Sequence, residues 1–341
     1  MNEFAKMNHR IPTLSRPRLG FLGVGWIGRH RMQAILDRDC AEVVAVADAS
    51  ADALEQAAKA VPGAKLMADI DSLLAEDLDG IVIATPSAQH AEQAIRALNA
   101  GVAVFCQKPL GRTAEEVSQV LEAAKAADRM LGIDFSYRHT KGMQQIRELV
   151  RSKHLGNVFA ADLVFHNAYG PDKPWFYDKM LSGGGCVMDL GVHLIDLALW
   201  TLDFPKVAEI ASHLFRDGQQ QSFPSEQVED FAVATMVLEN GVTVRLASSW
   251  RLQAGCDAII EANFFGTSGG ASMRNVNGSF FDFITERFHG TSRERLAEPP
   301  EDWGGRAAST WAEKLCQGGR YDRACETVLS VAEVIDRIYR R

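Results

Sequence analysis

The sequence predicts an α/β protein: a doubly wound parallel sheet followed by an α+β domain with a large, mostly antiparallel open sheet. Three observations carry this expectation. A glycine-rich turn, Gly23-Val24-Gly25-Trp26-Ile27-Gly28, joins a short apolar run to a segment with helical spacing. Short apolar runs then alternate with helix-length segments to about residue 140, the pattern of strands and crossover helices. Beyond that point the runs alternate with period two and include the hairpin signal Asn240-Gly241.

The elements follow in order. The run from Arg18 to Leu22 reads as a strand, and Ala34, Ile35 and Leu36 carry the apolar spacing of the helix behind the glycine turn. Residues 42–48 form a β-branched strand ending in Asp48, and residues 51–60 a helix. Residues 79–86 read as a buried strand ending at a Thr85-Pro86 turn. A helix over 90–100 closes at Gly101, and a strand over 102–106 ends at Gln107-Lys108-Pro109. Thr113 followed three residues later by Glu116 opens a helix to residue 128, and residues 130–135 form one more strand.

In such sheets ligands bind beyond the carboxyl ends of the strands. Gly23, Gly25, Trp26, Ile27, Gly28, Asp48, Thr85, Pro86, Gln107, Lys108 and Tyr137-Arg138 all fall at or beside such ends. A G-x-G-x-x-G between strand and helix, with an acid roughly 20 residues further on, is the fingerprint of a dinucleotide-binding Rossmann unit. Gly23 permits the tight turn, Gly25 lets the backbone approach a pyrophosphate, and Gly28 lets helix and strand pack closely. Asp48 is placed to accept ribose hydroxyls and to repel a 2′-phosphate. Ala49 and Ser50 follow it, with no arginine to neutralise that phosphate, so NAD is expected over NADP. His90 either stands near the cofactor or caps its helix.

The second part begins with a helix over 142–152 and a strand over 157–168. Strands are expected over 207–215, 231–238, 242–250, 258–265 and 280–284. A helical stretch from Ser309 to Arg340, interrupted at Gly318-Gly319, closes the chain. The expected organisation is a tail over 1–17, a nucleotide domain over 18–140, and a substrate and oligomerisation domain over 141–341.

At 341 residues the chain exceeds one typical core, which supports two domains. A net charge of −8 argues against nucleic acid or an anionic membrane as partner. The six cysteines show neither C-x-x-C nor metal-ligand spacing, as expected of reduced thiols in a cytoplasm, and no metal is expected. Residues 1–17 lack the apolar run of a signal peptide or membrane span.

The richest stretch for chemistry runs from Gly183-Gly184-Gly185 through Asp189 and His193 to Asp196, among apolar neighbours. On a regular helix Asp189 and His193 would share one face, one turn apart. The pair reads either as a satisfied contact inside a core or as a carboxylate orienting a catalytic imidazole.

The constellation resembles the glucose–fructose oxidoreductase/inositol dehydrogenase (Gfo/Idh/MocA) family. The glycine turn, Ala84-Thr85-Pro86 with His90, Gln107-Lys108-Pro109, Tyr137-Arg138 and the Asp189–His193–Asp196 helix carry the resemblance. It implies a Rossmann domain followed by an open-sheet domain, subunit contacts through the exposed sheet face, and a homodimer or homotetramer. It also implies hydride transfer between a nicotinamide and a sugar, inositol or related polyol. The family tripeptide is usually Glu-Lys-Pro; Gln107 replaces the glutamate here, and loss of that charge is expected to ease deprotonation of Lys108.

The roles then expected are His193 as general base, Asp189 as its orienting group or a hydroxyl acceptor, and Lys108 as donor to the reacting oxygen. The resemblance also makes a cis bond before Pro109 plausible. Arg138 is expected either to bind substrate or cofactor or to form a structural ion pair, and Asp196 to be structural. Tyr169, Trp175 and Trp250 are aromatic candidates for the pocket wall. The segment Trp303-Gly304-Gly305-Arg306, after Pro299-Pro300, reaches either a substrate or a partner subunit. Two other readings stay open: a redox-neutral enzyme that retains and recycles its NAD, and a non-catalytic NAD sensor.

Overall fold

A computed structural model describes residues 16–222 and 225–341. Most of the expected 1–17 tail lies outside the described residues. Its end is tied down: Arg16 pairs with Asp39 at 2.6 Å, and the Pro17 carbonyl accepts the Glu42 N–H.

The first half alternates strand and helix: β1 (Arg18–Leu22), α1 (Trp26–Leu36), β2 (Glu42–Ala47), α2 (Ala51–Ala60), β3 (Lys65–Met67), α3 (Ile70–Leu74), β4 (Gly80–Ile83), α4 (Ser87–Asn99), β5 (Ala103–Cys106), α5 (Ala114–Ala127) and β6 (Leu131–Ile133). The six strands are all parallel, in the order β3-β2-β1-β4-β5-β6. This order reverses between β1 and β4, which places a crevice at the carboxyl ends of those strands. β4 and β5 are buried at every position because helices cover both faces. Side-chain caps start several helices as the sequence suggests, Thr113 accepting the Glu116 N–H at 3.2 Å and Ser50 the Ala53 N–H.

The second half opens with α6 (Lys141–Arg151), β7 (Val158–Asn167), α7 (Lys179–Ser182), a π-helical turn over Val187–Gly191 and α8 (Val192–Thr201). The strands β8 (Val207–Arg216), β9 (Gln219–Gln220), β10 (Phe231–Leu238), β11 (Thr243–Ser249), β12 (Ala258–Gly266), β13 (Gly270–Asn275), β14 (Phe283–His289) and β15 (Ser292–Ala297) follow. With β7 they form a nine-stranded sheet in which only β7 and β11 pair in parallel. Along β10, alternate residues are buried against the helical layer and half-exposed on the other face. The chain ends with α9 (Arg306–Cys316) and α10 (Thr327–Ile338).

The expected boundary at residue 140 needs one correction. Helix α9 belongs physically to the parallel sheet. Ala307, Ala308, Trp311 and Ala312 share a core with Leu19, Phe21, Met32, Val82 and Phe105. Gly80 and Gly132 make room for Trp311; a Cβ at either would lie 2.7 Å from its ring. The nucleotide domain is therefore completed by a segment from the far end of the chain. Sequence periodicity assigns α9 a buried face but not the surface that buries it. The short strands β3, β9, β13 and β15 also escaped the pattern, β3 and β9 because so few residues carry no period.

Candidate active site

The glycine turn has the geometry of a phosphate cradle. Gly23 has φ +86°, and a Cβ there would lie 2.6 Å from the Ala84 carbonyl group. A Cβ on Gly28 would lie 2.1 Å from the Gly23 oxygen, so the turn and α1 touch only because residue 28 is glycine. Gly25 is different. Its Cβ direction meets nothing within 4 Å, and it precedes a helix with no side-chain cap and no acid in its first turn. Open space in front of uncapped N–H groups is what a pyrophosphate requires. At the end of β2, Asp48 accepts the Val24 N–H at 2.7 Å and the Ser50 N–H at 2.8 Å. Those bonds hold its carboxylate beside the turn.

Two clefts meet at the carboxyl end of the parallel sheet. The first runs from Gly25 past Thr85 and Pro86 to Trp175, Met188 and Asp189, and has a volume of about 620 Å³. The second, of about 630 Å³, lies between the domains and is lined by Tyr137, Phe165, Asn167, His193, Phe281 and Trp303 among others. Trp26, Ile27, Gln107 and Lys108 border both, and Lys108 alone of these titrates. The Lys108-Pro109 bond is cis, as the resemblance implied.

The Lys108 Nζ donates to the Asp189 carboxylate at 2.8 Å and to the Asp189 carbonyl at 2.7 Å. The other Asp189 oxygen accepts from Trp250 Nε1 at 3.1 Å. This corrects the expected Asp189–His193 contact. The π-helical turn over Val187–Gly191 takes more residues per turn, so four positions no longer make one regular α-helical turn. Asp189 orients Lys108, and His193 stands apart, edge-on to the Tyr137 ring at 5.0 Å between centroids. Burial above all, then the Lys108 and Arg31 charges, hold the His193 imidazole well below its ordinary pKa. The ring is neutral at neutral pH and faces the second cleft.

Glu229 explains the triple glycine in front of this helix. Its buried carboxylate accepts the Gly185 N–H at 3.0 Å, the Val187 N–H at 2.8 Å and the Tyr339 hydroxyl at 2.8 Å. A Cβ on Gly185 would lie 1.9 Å from the Glu229 carbonyl oxygen, and one on Gly184 would lie 2.1 Å from the Tyr339 hydroxyl. The glycines seat the helix; the chemistry comes after them.

Gln107 has its own buried partner. Its amide is buried and donates to Asp134, not toward Lys108. Asp134 accepts in addition from Arg31 Nε at 2.6 Å and from the Ser136 hydroxyl at 2.6 Å. A carboxylate at position 107 would face Asp134, whereas the amide donates to it. The negative charge beside Lys108 is supplied by Asp189.

Several sequence candidates lie elsewhere. Arg138 is bound to both oxygens of Asp196, with Nε at 2.8 Å, under the Phe135, Phe204 and Trp200 rings. It borders neither cleft and is the structural ion pair. Tyr169 is exposed, donates to Asp257 at 2.5 Å and also borders neither cleft. Trp175, expected against substrate, lines the first cleft, stacked on Phe176 at 3.8 Å. Trp250 is buried and supports Asp189. His90 lines the first cleft, but both ring nitrogens are engaged at 2.7 Å by the Thr85 and Pro109 carbonyls. It ties the two turns together.

Sequence reasoning missed much of the second cleft's wall: Phe281, Asp282, Glu301 and Asp302. The signal was Trp303-Gly304-Gly305. Trp303 donates to the Phe281 carbonyl at 2.9 Å and packs on Tyr137 at 4.8 Å. A Cβ on Gly305 would lie 2.2 Å from the Ala34 Cβ, so glycine lets this strap cross onto α1.

Fold and site together describe a dinucleotide-dependent oxidoreductase with its cofactor on one domain and its second cleft between two. Comparison with known proteins gives the family. Residues 18–135 match the model described as "Oxidoreductase family, NAD-binding Rossmann fold", and residues 143–272 match the "GFO/IDH/MocA C-terminal domain". The chain belongs to the Gfo/Idh/MocA oxidoreductase family. It is 29% identical over 273 residues to the D-glucoside 3-dehydrogenase of Escherichia coli (strain K12), covering 76% of this chain and 78% of that one. It is 29% identical over 254 residues to the inositol 2-dehydrogenase 3 of Saccharopolyspora erythraea, covering 74% and 71%. The solved aldose-aldose oxidoreductase of Caulobacter crescentus superposes with a TM-score of 0.81 at 21% identity, covering 95% of this chain and 97% of that one. At that identity the likeness concerns the fold.

Proposed function

We propose that this protein transfers a hydride between NAD and a secondary hydroxyl of a sugar, inositol or related polyol. The observation that carries this reading is the position of Lys108, the one titratable side chain bordering both clefts, with its ammonium already oriented by Asp189. Bound NAD supplies the hydride acceptor. In the oxidation direction the carbinol carbon loses hydride, the hydroxyl loses its proton, and a ketone remains. Lys108 donates a hydrogen bond to the oxygen as negative charge develops there. His193, neutral through burial, accepts the hydroxyl proton. The cis turn and the His90 link hold Lys108 against the cofactor side.

Three readings accompany it. NAD is preferred to NADP, because a 2′-phosphate would meet the Asp48 carboxylate and no basic residue follows at Ala49 or Ser50. The half-exposed face of the nine-stranded sheet, with Phe265 38% exposed on it, supports assembly into a homodimer or homotetramer. All six cysteines are free, which supports a cytoplasmic setting. The apolar helical stretch Lys179–Thr201, long enough to cross a membrane, is 83% buried inside the fold, as a core helix is.

The test is nicotinamide reduction by the purified protein with NAD or NADP and a panel of inositols, aldoses and glycosides. Reduction by one class, with a lower KM for NAD, is the expected result. Binding of NAD without reduction by any member would move the reading to a retained, recycled cofactor.

A further inference from the structure

The second cleft has an uneven charge that bears on what enters it. Each cation at its wall is already engaged or neutral. Lys108 is held by Asp189 and Arg31 by Asp134, with Ser136 also accepting from Arg31 at 3.1 Å. Arg31 Nη1 lies 2.9 Å from His30 Nδ1, and the lone pair that accepts it leaves His30 without a proton on that nitrogen. His30 is lowered by burial and by Arg31, against the opposing Asp302 and Asp134 charges, and His193 by burial and by Lys108.

The anions are not balanced in the same way. Glu301 is paired with Arg306 and accepts the Lys141 N–H at 2.9 Å. The Asp282 carboxylate accepts from the Ser279 hydroxyl at 2.9 Å and pairs with no cation among the described residues. The Asp302 carboxylate forms no hydrogen bond or ion pair among the described residues, and its side chain is on the exposed edge of the strap. Two carboxylates thus border the cleft without a cationic partner, and each is acceptor-only.

The remaining wall is aromatic and spans both domains. Trp26, at the start of α1, is 59% exposed, and Phe281, on the opposite domain, is 54% exposed. Both border the cleft, with Tyr137 and Trp303 behind them. Exposed rings facing a cavity offer flat apolar surfaces to the C–H face of a sugar ring.

Resting on the reading of this cleft as the substrate side, we propose that it selects an uncharged polyhydroxylated ring and excludes anionic sugars. Asp302 and Asp282 accept the ligand's hydroxyls at the cleft mouth, and Trp26 and Phe281 flank its apolar face. A phosphate or carboxylate on the ligand would meet two uncompensated carboxylates at the cleft mouth, Asp302 exposed and Asp282 half-buried, with no unengaged cation to receive it.

The test uses the full-length, NAD-loaded protein and matched ligand pairs: a free hexose and its 6-phosphate, a methyl glycoside and the corresponding uronide. Turnover and calorimetric binding are measured for each. The expected result is at least a hundredfold preference for the neutral member. Asp302→Lys should narrow that ratio tenfold or more, and Asp302→Asn should narrow it less. Added salt should narrow it in the unmodified protein. Binding is read independently of hydride transfer, so an inactive protein that binds neutral ligands and rejects anionic ones overturns the oxidoreductase reading and keeps this one. Equal or tighter binding of the anionic members, a ratio unmoved by Asp302→Lys, or binding of neither member of any pair would overturn it.

Discussion

Two ion pairs stand on one helical stretch, and they differ in the burial of the carboxylate and in what borders the pair. Asp189 holds Lys108 with both side chains about one-sixth exposed, at the meeting of two clefts. Asp196 holds Arg138 with only 2% of its own side chain exposed, under three aromatic rings. Burial pushes the Asp196 carboxyl up, and the Arg138 guanidinium opposes that. In the first pair one Asp189 oxygen meets Lys108 and the other accepts from Trp250, with a neighbouring space for ligand. The second is bidentate, its carboxylate is buried, and its guanidinium borders only a smaller pocket away from the two clefts. A buried, fully engaged pair specifies packing, whereas a half-open pair keeps a group that can exchange partners.

The largest effect expected from this contrast is catalytic. Lys108→Ala should lower kcat/KM by roughly 10³-fold or more, the scale of a lost charge-stabilising donor. NAD binding by calorimetry should stay within about threefold. Unchanged turnover would remove Lys108 from the mechanism and erase the distinction between the pairs.

The next effect is on stability and falls on the other pair. Asp196→Ala leaves the Arg138 guanidinium, itself 19% exposed, without its carboxylate, and should cost about 1–3 kcal/mol in denaturant unfolding. Asp189→Asn should destabilise less, since that carboxylate is itself 17% exposed beside the clefts whereas Asp196 is 2% exposed, while lowering turnover strongly. Equal losses of stability in the two variants would break the comparison.

The pH dependence sharpens it. With His193 held below the ordinary imidazole pKa of 6.5, the acid limb of kcat/KM should lie below that value. Lys108→Met removes one of the charges that depress His193, so the limb should move upward in whatever residual activity remains. The sign for stability follows from the same shift. The unfolded chain binds the His193 proton more readily, so this contribution is complete above the ordinary value and declines as pH falls through it toward the folded value. A limb at or above 6.5 in the unmodified protein would contradict His193 as the base.

The smallest effect concerns Gln107. Gln107→Glu restores the usual family tripeptide but sets a second carboxyl against Asp134. A loss of about 1–3 kcal/mol in stability is expected, as for a buried polar contact made unfavourable. Gln107→Glu combined with Asp134→Asn should recover part of it, because an amide then faces the carboxylate again. No recovery would mean that the two side chains do not act as a pair.

The limits of the sequence lie along the same division. Helix starts such as Thr113 and Ser50, the strand β4, the glycine turn and the hairpin at Asn240-Gly241 were legible because each depends on residues adjacent in the chain. The Asp189–His193 contact was read wrongly for the same reason: a regular helix was assumed where a π-helical turn intervenes. Arg138 illustrates the other limit. Its partner Asp196 was noticed as structural, but nothing in the spacing joined the two.

By itself, then, the sequence determined the two-part architecture and the nucleotide-binding glycine turn, and singled out Lys108 and His193 as candidates for chemistry. These follow from apolar period, glycine stereochemistry and local capping, which act over a few residues. The tertiary structure decided that Asp189 serves Lys108, that Gln107 answers Asp134, and that α9 completes the parallel sheet. It also brought the strap at Trp303 onto α1 to wall the second cleft. Those contacts join residues tens to hundreds of positions apart, and what selects them is the burial of one surface against another and the pairing of charges left inside.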